Sequence, residues 1–527
     1  MNNRLFSAIA LICVLMLAAC APAAAPTRIA MEPQAQATAP RQREYAPEPT
    51  RAPYNPPTAS PAATMAAPAP GNLPGENYHQ DYGVNPIEDT WSDHLSTFAL
   101  DVDTASYTLT KRYVAEGGLP PIDAVRAEEF INAFDSGYAA PEDAAFSLYA
   151  DGAPNPFNES GTYLLRFGVQ GYNVSRWERR PLNLTFVIDV SGSMSMENRL
   201  EMVKDSLRLL VDQLDERDTV AVVVYGSEAR VVLEPTNGSD PEQINRAIKR
   251  LRTEGSTNAE AGLRLGYRYA MEMYDPNANN RVILCSDGVA NTGTTSVDGL
   301  LEYIGGYVEE GISLVTYGFG MGNYNDVLLE QLADRGDGSY AYIDDMDEAR
   351  RLFVEELTAS LQVIAYDAKV QVDFNSDVVS NYRLIGYENR EVADQDFRDD
   401  SVDAGEIGAG MSATALYEVE LVPGAEGRMA TVQLRWQDAD TREAREINGN
   451  FNTWDLAASF EDADPYYRLA VVVGAFAEVL RASPYVQVGL NELSRHADRL
   501  ARQIPDEQVS EFADLVQQSA RLMRSEW

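Results

Sequence analysis

Between residues 181 and 360, short apolar runs alternate with amphipathic helical patterns, and few folds accept that order. LTFVI (184–188), TVAVVV (219–224), RVILC (281–285) and ISLVT (312–316) show no polar alternation. Each reads as a strand covered on both faces. After the first run, Leu200, Met202, Val203, Ser206, Leu207, Leu210, Val211 and Leu214 recur at helical spacing. Further helices are expected at 241–251, 259–274, 297–310, 325–333 and 345–357, with a last strand in SYAYID (339–344). TVAVVVYGS and ARVVLEP are separated by little more than Glu228, which predicts a hairpin and one antiparallel edge. The expected fold is α/β: a doubly wound, mostly parallel, Rossmann-like sheet of six strands with helices on both faces.

The remainder divides by composition. Residues 1–19 read as a signal peptide, with an apolar run over 5–19 that is short for a membrane span. The run ends in LAAC, which resembles the bacterial lipoprotein box and makes Cys20 the expected lipidated residue. Residues 20–90 are expected to be a disordered tether, because 13 of the 27 prolines lie within 21–74. In polyproline form residues 21–74 could reach roughly 170 Å, and as a coil about 40 Å, which would hold the body away from the bilayer. Cys13 leaves with the signal and Cys20 carries lipid, so Cys285 is the one remaining thiol, expected as a small buried hydrophobe.

Residues 91–180 form an expected N-terminal flanking unit. It has a strand in STFALDVD, a helix after it with Asp103 or Thr104 as cap, a second helix over 123–134, and strands in FSLYADG and TYLLRFGVQGY. Residues 361–527 are expected as a β unit followed by two helices, at 466–483 and 506–523. The acidic run 373–406 reads as a solvated stretch, with a weak Ca²⁺ patch as its alternative. The net charge of −39 argues against a nucleic-acid partner, since phosphates require a basic face.

Chemistry concentrates in three loops at strand ends. Asp189, Ser191 and Ser193 follow the first strand, Thr257 lies in GSTN before a helix, and Asp287 follows RVILCS. In a parallel sheet such loops share one edge, so distant oxygens converge. Carboxylate and hydroxyl oxygens suit Mg²⁺, Mn²⁺ or Ca²⁺ and not zinc or copper. Other sites fare worse. There is no GKS/T phosphate loop and no G-x-S-x-G around Ser193, and GFGMGN reads as a turn. His79, His94 and His496 are too few and too scattered for a nucleophilic triad.

DVSGSM, the threonine of GSTN and the aspartate of SDG resemble the metal-ion-dependent adhesion site of von Willebrand factor A (VWA) domains. ALDVDTASY, LPPIDAVRAEEFINAF, YGFGMGNYND and YRLIGYENR resemble a bacterial VWA lipoprotein family with an N-terminal flanking domain and a C-terminal companion domain, over roughly residues 90–525. The resemblance implies a VWA fold with strand order 3-2-1-4-5-6. It also implies a Mg²⁺ site, with Mn²⁺ or Ca²⁺ as alternatives, held by Asp189, Ser191, Ser193, Thr257 and Asp287. The expected function is metal-dependent binding of a protein partner that offers Asp or Glu, in adhesion or envelope assembly and without catalysis. A metal-assisted hydrolase and a structural protein with an inactive site are the alternatives. The expected location is the cell envelope, outside the cytoplasm, attached to a membrane by lipid alone and to the outer membrane if the cell has one. Because crowded carboxylates repel, Asp287→Ala is expected to fold, and even to gain stability, without metal.

Overall fold

The computed structural model describes residues 26–33, 82–100, 102–158, 161–288, 297–320, 326–343, 345–355 and 361–525. The signal segment, Cys20 and most of the expected tether lie outside the described residues, as does His79. The N-terminal part contributes β1 (Met31–Pro33), β2 (Glu88–Asp89), β3 (Leu95–Ala99), α1 (Ala105–Ala115), α2 (Ala127–Asn132), β4 (Phe146–Pro154) and β5 (Tyr163–Gly171).

The central unit follows. It contains β6 (Leu182–Asp189), α3 (Arg199–Val211), β7 (Thr219–Tyr225), β8 (Ala229–Asn237), α4 (Pro241–Arg250) and α5 (Ala259–Glu272). It continues through β9 (Asn279–Ser286), α6 (Val297–Val308), β10 (Ile312–Phe319), α7 (Asp326–Asp334), β11 (Tyr340–Ile343) and α8 (Met346–Arg350). Its sheet runs β11-β10-β9-β6-β7-β8. All pairings are parallel except β7 with β8. Counted along the chain, that is the order 3-2-1-4-5-6 with one antiparallel edge strand. The apolar runs explain it: Leu184, Phe186, Val187 and Ile188 are all buried, and two hydrophobic cores cover the two faces. The helix expected over 345–357 changes character at Arg351, where a π turn spans Arg351–Glu355.

The flanks are joined. The last part supplies β12 (Val363–Phe374), β13 (Val379–Ile385), β14 (Gly405–Gly408), β15 (Ser412–Leu421), β16 (Arg428–Asp438) and β17 (Ala444–Asn452). Three helices follow: α9 (Pro465–Leu480), α10 (Leu490–Ala501) and α11 (Glu507–Ser525). N-terminal β5 pairs with β15, and β3 with β12. The units before and after the central domain therefore share two sheets around one core, which Phe98, Leu165, Val372 and Trp436 all enter. Few strands alone bury too little surface to be stable, which accounts for the sharing.

Short β2 and β14, and the longer β17 and α10, were not expected from sequence. β17 is largely polar because one side of it is open, and α10 carries Leu490, Leu493, Ala497 and Leu500 buried at helical spacing. The expected tether also contains ordered chain. Met31–Pro33 pair with β17 and Arg28 bridges to Tyr149. Among the described residues, no helix is long and apolar enough to cross a membrane.

Candidate functional site

β6 ends at Asp189, fully buried in line with its strand, and the chain turns there into a polar loop. The backbone N–H of Ser191 donates to Asp189 Oδ1 at 2.7 Å, an Asx-type turn that fixes the carboxylate. The Ser191 and Ser193 hydroxyls lie 3.0 Å apart, and Ser193 Oγ donates to Asp287 Oδ1 at 3.1 Å. Asp287 reaches this point because β9 lies beside β6, with Cys285 opposite Ile188. Four of the five expected residues thus form one hydrogen-bonded chain.

Thr257 is placed on the neighbouring loop, half-buried. That loop is tied to the first, since Glu254 N donates to Val190 O at 2.5 Å and Gly192 N to Gly255 O at 3.3 Å, and to the β7–β8 turn, where Asn258 N donates to Gly226 O at 2.9 Å. Asn258 then caps α5 by accepting from Ala261 N at 3.1 Å. All five residues stand at the carboxyl edge of the sheet, where open α/β folds bind ligands.

Three further residues shape the site. Ser286 Oγ donates to Asp189 Oδ2 at 3.1 Å. The Tyr225 hydroxyl, fully buried, lies against Asp189 and Ser286; burial first and the Asp189 charge next hold its pKa well above the ordinary range. Arg199 is buried and donates to Asp287 Oδ2 at 2.7 Å. Gly320 makes room for it: at φ +83° a Cβ there would sit 2.0 Å from Arg199 Nε. Of GFGMGN, expected as a turn, Gly318 and Phe319 end β10 and Gly320 follows them to admit the arginine, while residues 321–323 lie outside the described residues. Arg199 also faces Glu197 at 3.7 Å, and Glu197 faces Arg112 of α1 at 3.5 Å. The N-terminal flank therefore reaches the rim of the site.

Burial pushes the Asp189 carboxyl up to about 6, and the nearby Asp287 charge adds to this against hydrogen bonds from Ser191 and Ser286. A buried carboxylate so disfavoured, beside oxygen donors only, fits a hard divalent cation. Asp189, Ser191, Ser193, Thr257 and Asp287 would hold it. Arg199 adds a cost to the expectation for Asp287→Ala: Asp287 is paired with a buried guanidinium at 2.7 Å, so its loss removes the shorter of the two ion pairs given above and leaves the 3.7 Å one to Glu197.

The other candidates resolve differently. Thr104 is the N-cap of α1 but makes no side-chain cap bond. Asp103 accepts instead from Tyr340 N at 3.2 Å and faces Arg390 at 3.5 Å, joining three parts of the chain. His94 pairs with Asp373 at the surface, and His496 packs against Phe157 and Phe460. Cys285 is buried and its thiol pKa is raised by burial, as a small hydrophobe. Asp403 and Glu406 of the acidic run come together with Asp337 in a carboxylate group within 4.8 Å.

Comparison with known proteins gives a consistent layout. A family model described as von Willebrand factor type A domain matches residues 183–356. One described as von Willebrand factor matches 74–166, and one described as "Uncharacterized protein YfbK, C-terminal" matches 359–522. The chain is 33% identical over 472 residues to the uncharacterized protein YfbK of Escherichia coli (strain K12), covering 84% of this chain and 81% of that one. It is 33% identical over 190 residues to the uncharacterized protein sll0103 of Synechocystis, covering 36% of this chain and 44% of that one. It is 25% identical over 281 residues to human inter-alpha-trypsin inhibitor heavy chain H3, covering 50% of this chain and 30% of that one. A solved von Willebrand factor type A structure from Catenulispora acidiphila aligns at 18% identity and TM-score 0.40, covering 70% of this chain and 88% of that one.

Proposed function

We propose, for a chain that belongs to the YfbK family of von Willebrand factor type A domain proteins, that it is a divalent-metal-dependent protein-binding module of the cell envelope. The domain itself points to protein interaction or adhesion. The finer reading has a lipid on Cys20 as anchor and a metal centre at the carboxyl edge of the central sheet. Its partner is a protein that offers Asp or Glu. The observation that carries it is the buried Asp189 carboxylate, linked through Ser191 and Ser193 to Asp287.

A bound Mg²⁺ would supply an electrophilic position for a partner carboxylate. The chain's own residues set the rest. Ser191 and Ser193 contribute neutral oxygens, so little negative charge competes with the incoming acid. Ser286 and the Ser191 N–H orient Asp189. Arg199 occupies one oxygen of Asp287 and turns the other toward Ser193. The reading assigns binding and no catalytic step.

The test is capture of envelope proteins by the purified chain, by cross-linking and mass spectrometry in Mg²⁺ and in EDTA. A partner is expected in Mg²⁺ alone, with loss in Ser193→Ala. Capture that ignores both EDTA and this substitution would sink the reading. The anchor is tested separately: Cys20→Ser is expected to leave the membrane fraction.

A further inference from the structure

Residues 27–33 form a strap that joins two sheet edges. Met31, Glu32 and Pro33 pair antiparallel with Gly449, Asn448 and Ile447 of β17. A few residues earlier the chain crosses to β4: Ile29 N donates to Leu148 O at 3.1 Å, and Ala150 N to Thr27 O at 3.1 Å. Without the strap β17 and β4 would be the open edges of their two sheets, and such edges are normally covered. Ile29 is 6% exposed and lies over Gly449, where a Cβ would meet Ile29 Cδ1 at 2.4 Å. A glycine in a strand interior is otherwise unfavourable, and here it is the seat of the strap.

The register fixes where the strap leads. β1 is antiparallel to β17, so the chain before Met31 runs toward the end of the sandwich at which β17 finishes, Asn452. Asn452 pairs with Arg428, and Asn375 N donates to Met429 O, so the β12–β13 turn lies at that end too. Thr90 N donates to Ser380 O there, which brings Trp91 to the same end. Trp454 follows β17 directly. Trp454 is 69% exposed and Trp91 77%, and Ile87, before β2, is exposed too. Only residues 21–26 separate Cys20 from the strap, and seven residue steps span at most about 25 Å. Trp91 N donates to Asp89 Oδ1 at 2.8 Å, and Asp93 and Asp455 follow Trp91 and Trp454 closely in the chain.

We infer that the docked strap brings the folded body down onto the membrane, with Trp454 and Trp91 set into the headgroup layer of an uncharged, zwitterionic lipid surface. This rests on the reading of Cys20 as the anchor. Tryptophan suits that depth because its ring is apolar and its N–H wet. The acids beside it disfavour anionic lipid. The long Pro-rich stretch then contributes no height while the strap is seated, since it enters the chain after the strap.

The test uses the chain from Cys20 onward, coupled through that thiol to a maleimide lipid in phosphatidylcholine vesicles; Cys285 is buried and does not compete. Tryptophan quenching by a lipid with a headgroup nitroxide is measured. Clear quenching is expected in the unaltered chain and loss of most of it in Trp454→Phe/Trp91→Phe. The strap variants Ile29→Asp and Gly449→Val should lower quenching several-fold at equal lipid coupling. Ile29→Asp changes no residue of β17 or β4, so it stands even if Gly449→Val disturbs β17. An anchored chain that is not quenched, or is quenched equally with the strap broken, overturns the inference. Because the lipid is attached chemically, failure here leaves the natural lipidation of Cys20 to its own fractionation test, and failure there leaves this result standing.

Discussion

Two groups of carboxylates lie at opposite edges of the central sheet, and they are built on different principles. At the carboxyl edge Asp189 and Asp287 alternate with hydroxyls, and a buried arginine balances one of them. At the amino edge Asp337, just before β11, meets Asp403 and Glu406 beside β14. There the strongest influences on each acid, after burial, are other acids. The first group holds charge in an arranged frame of neutral oxygens. The second holds charge at a seam between the central domain and the flanking body. Negative charge alone therefore does not distinguish a ligand site; the hydroxyl frame does.

The largest effect expected from breaking the comparison is at Asp287. Asp287→Ala leaves Arg199 buried without its carboxylate, which should cost about 3–5 kcal/mol of stability. Adding Arg199→Met should recover a large part of that loss, because the buried charge that has lost its shorter ion pair goes too. Chemical denaturation of the single and double variants measures both. A stable single variant would show that Arg199 does not depend on Asp287.

Divalent metal should separate the two edges next. Mg²⁺ at about 100 times its Kd should add roughly 2.7 kcal/mol, read as a rise in Tm. Ser193→Ala should lose that rise, and Asp337→Asn should keep it. If Asp337→Asn abolishes the Mg²⁺ response instead, the cation belongs to the seam.

Acid sharpens the contrast at the seam. Asp337 has its carboxyl pushed up to about 6 by burial first and by Asp403 and Asp367 next, with Arg442 and Arg281 opposing. Its folded pKa exceeds the ordinary value of 3.8, so the folded state holds the proton more tightly. That contribution is fully present below about pH 4 and is lost as pH rises through about 6. Asp337→Asn should therefore match the unaltered chain at pH 4 and exceed it at pH 7, by about 1–3 kcal/mol. Asp337 sits at φ +45°, a conformation Asn accepts as readily, so the substitution adds no backbone strain. Urea titrations at the two pH values decide it.

What could be read from the sequence follows how local each signal is. The apolar runs of β6, β7, β9 and β10 were visible because both faces of those strands are covered. The placement of Asp189, Ser191 and Ser193 was visible because strand and loop are contiguous. Arg199 was not, since a charged residue at a helix start reads as solvated, and only the turn at Gly320 admits it to the interior. The seam acids were hidden because Asp337 and Glu406 belong to different units. The strap was hidden by composition: its Ala- and Pro-rich surroundings read as tether, and its partners Gly449 and Leu148 lie far along the chain.

Thr257 carries the smallest stability change and the sharpest functional one. Its hydroxyl stands on a loop whose position is fixed by other groups: Glu254 N on Val190 O, Gly192 N on Gly255 O, and Asn258 capping α5. Thr257→Ala removes none of these bonds. The fold should lose on the order of 1 kcal/mol, the scale of one hydrogen bond. Thr257→Ser, which keeps the oxygen, should behave as the unaltered chain. If the hydroxyl is a ligand, Thr257→Ala should shrink the Mg²⁺-induced rise in Tm and reduce Mg²⁺-dependent capture of the partner, while the Tm in EDTA stays close to that of the unaltered chain. A Thr257→Ala protein with an undiminished Mg²⁺ response would remove Thr257 from the ligand set and leave Asp189, Ser191, Ser193 and Asp287 to hold the ion. Equal loss of Tm in Mg²⁺ and in EDTA would assign the hydroxyl to the loop and not to the metal.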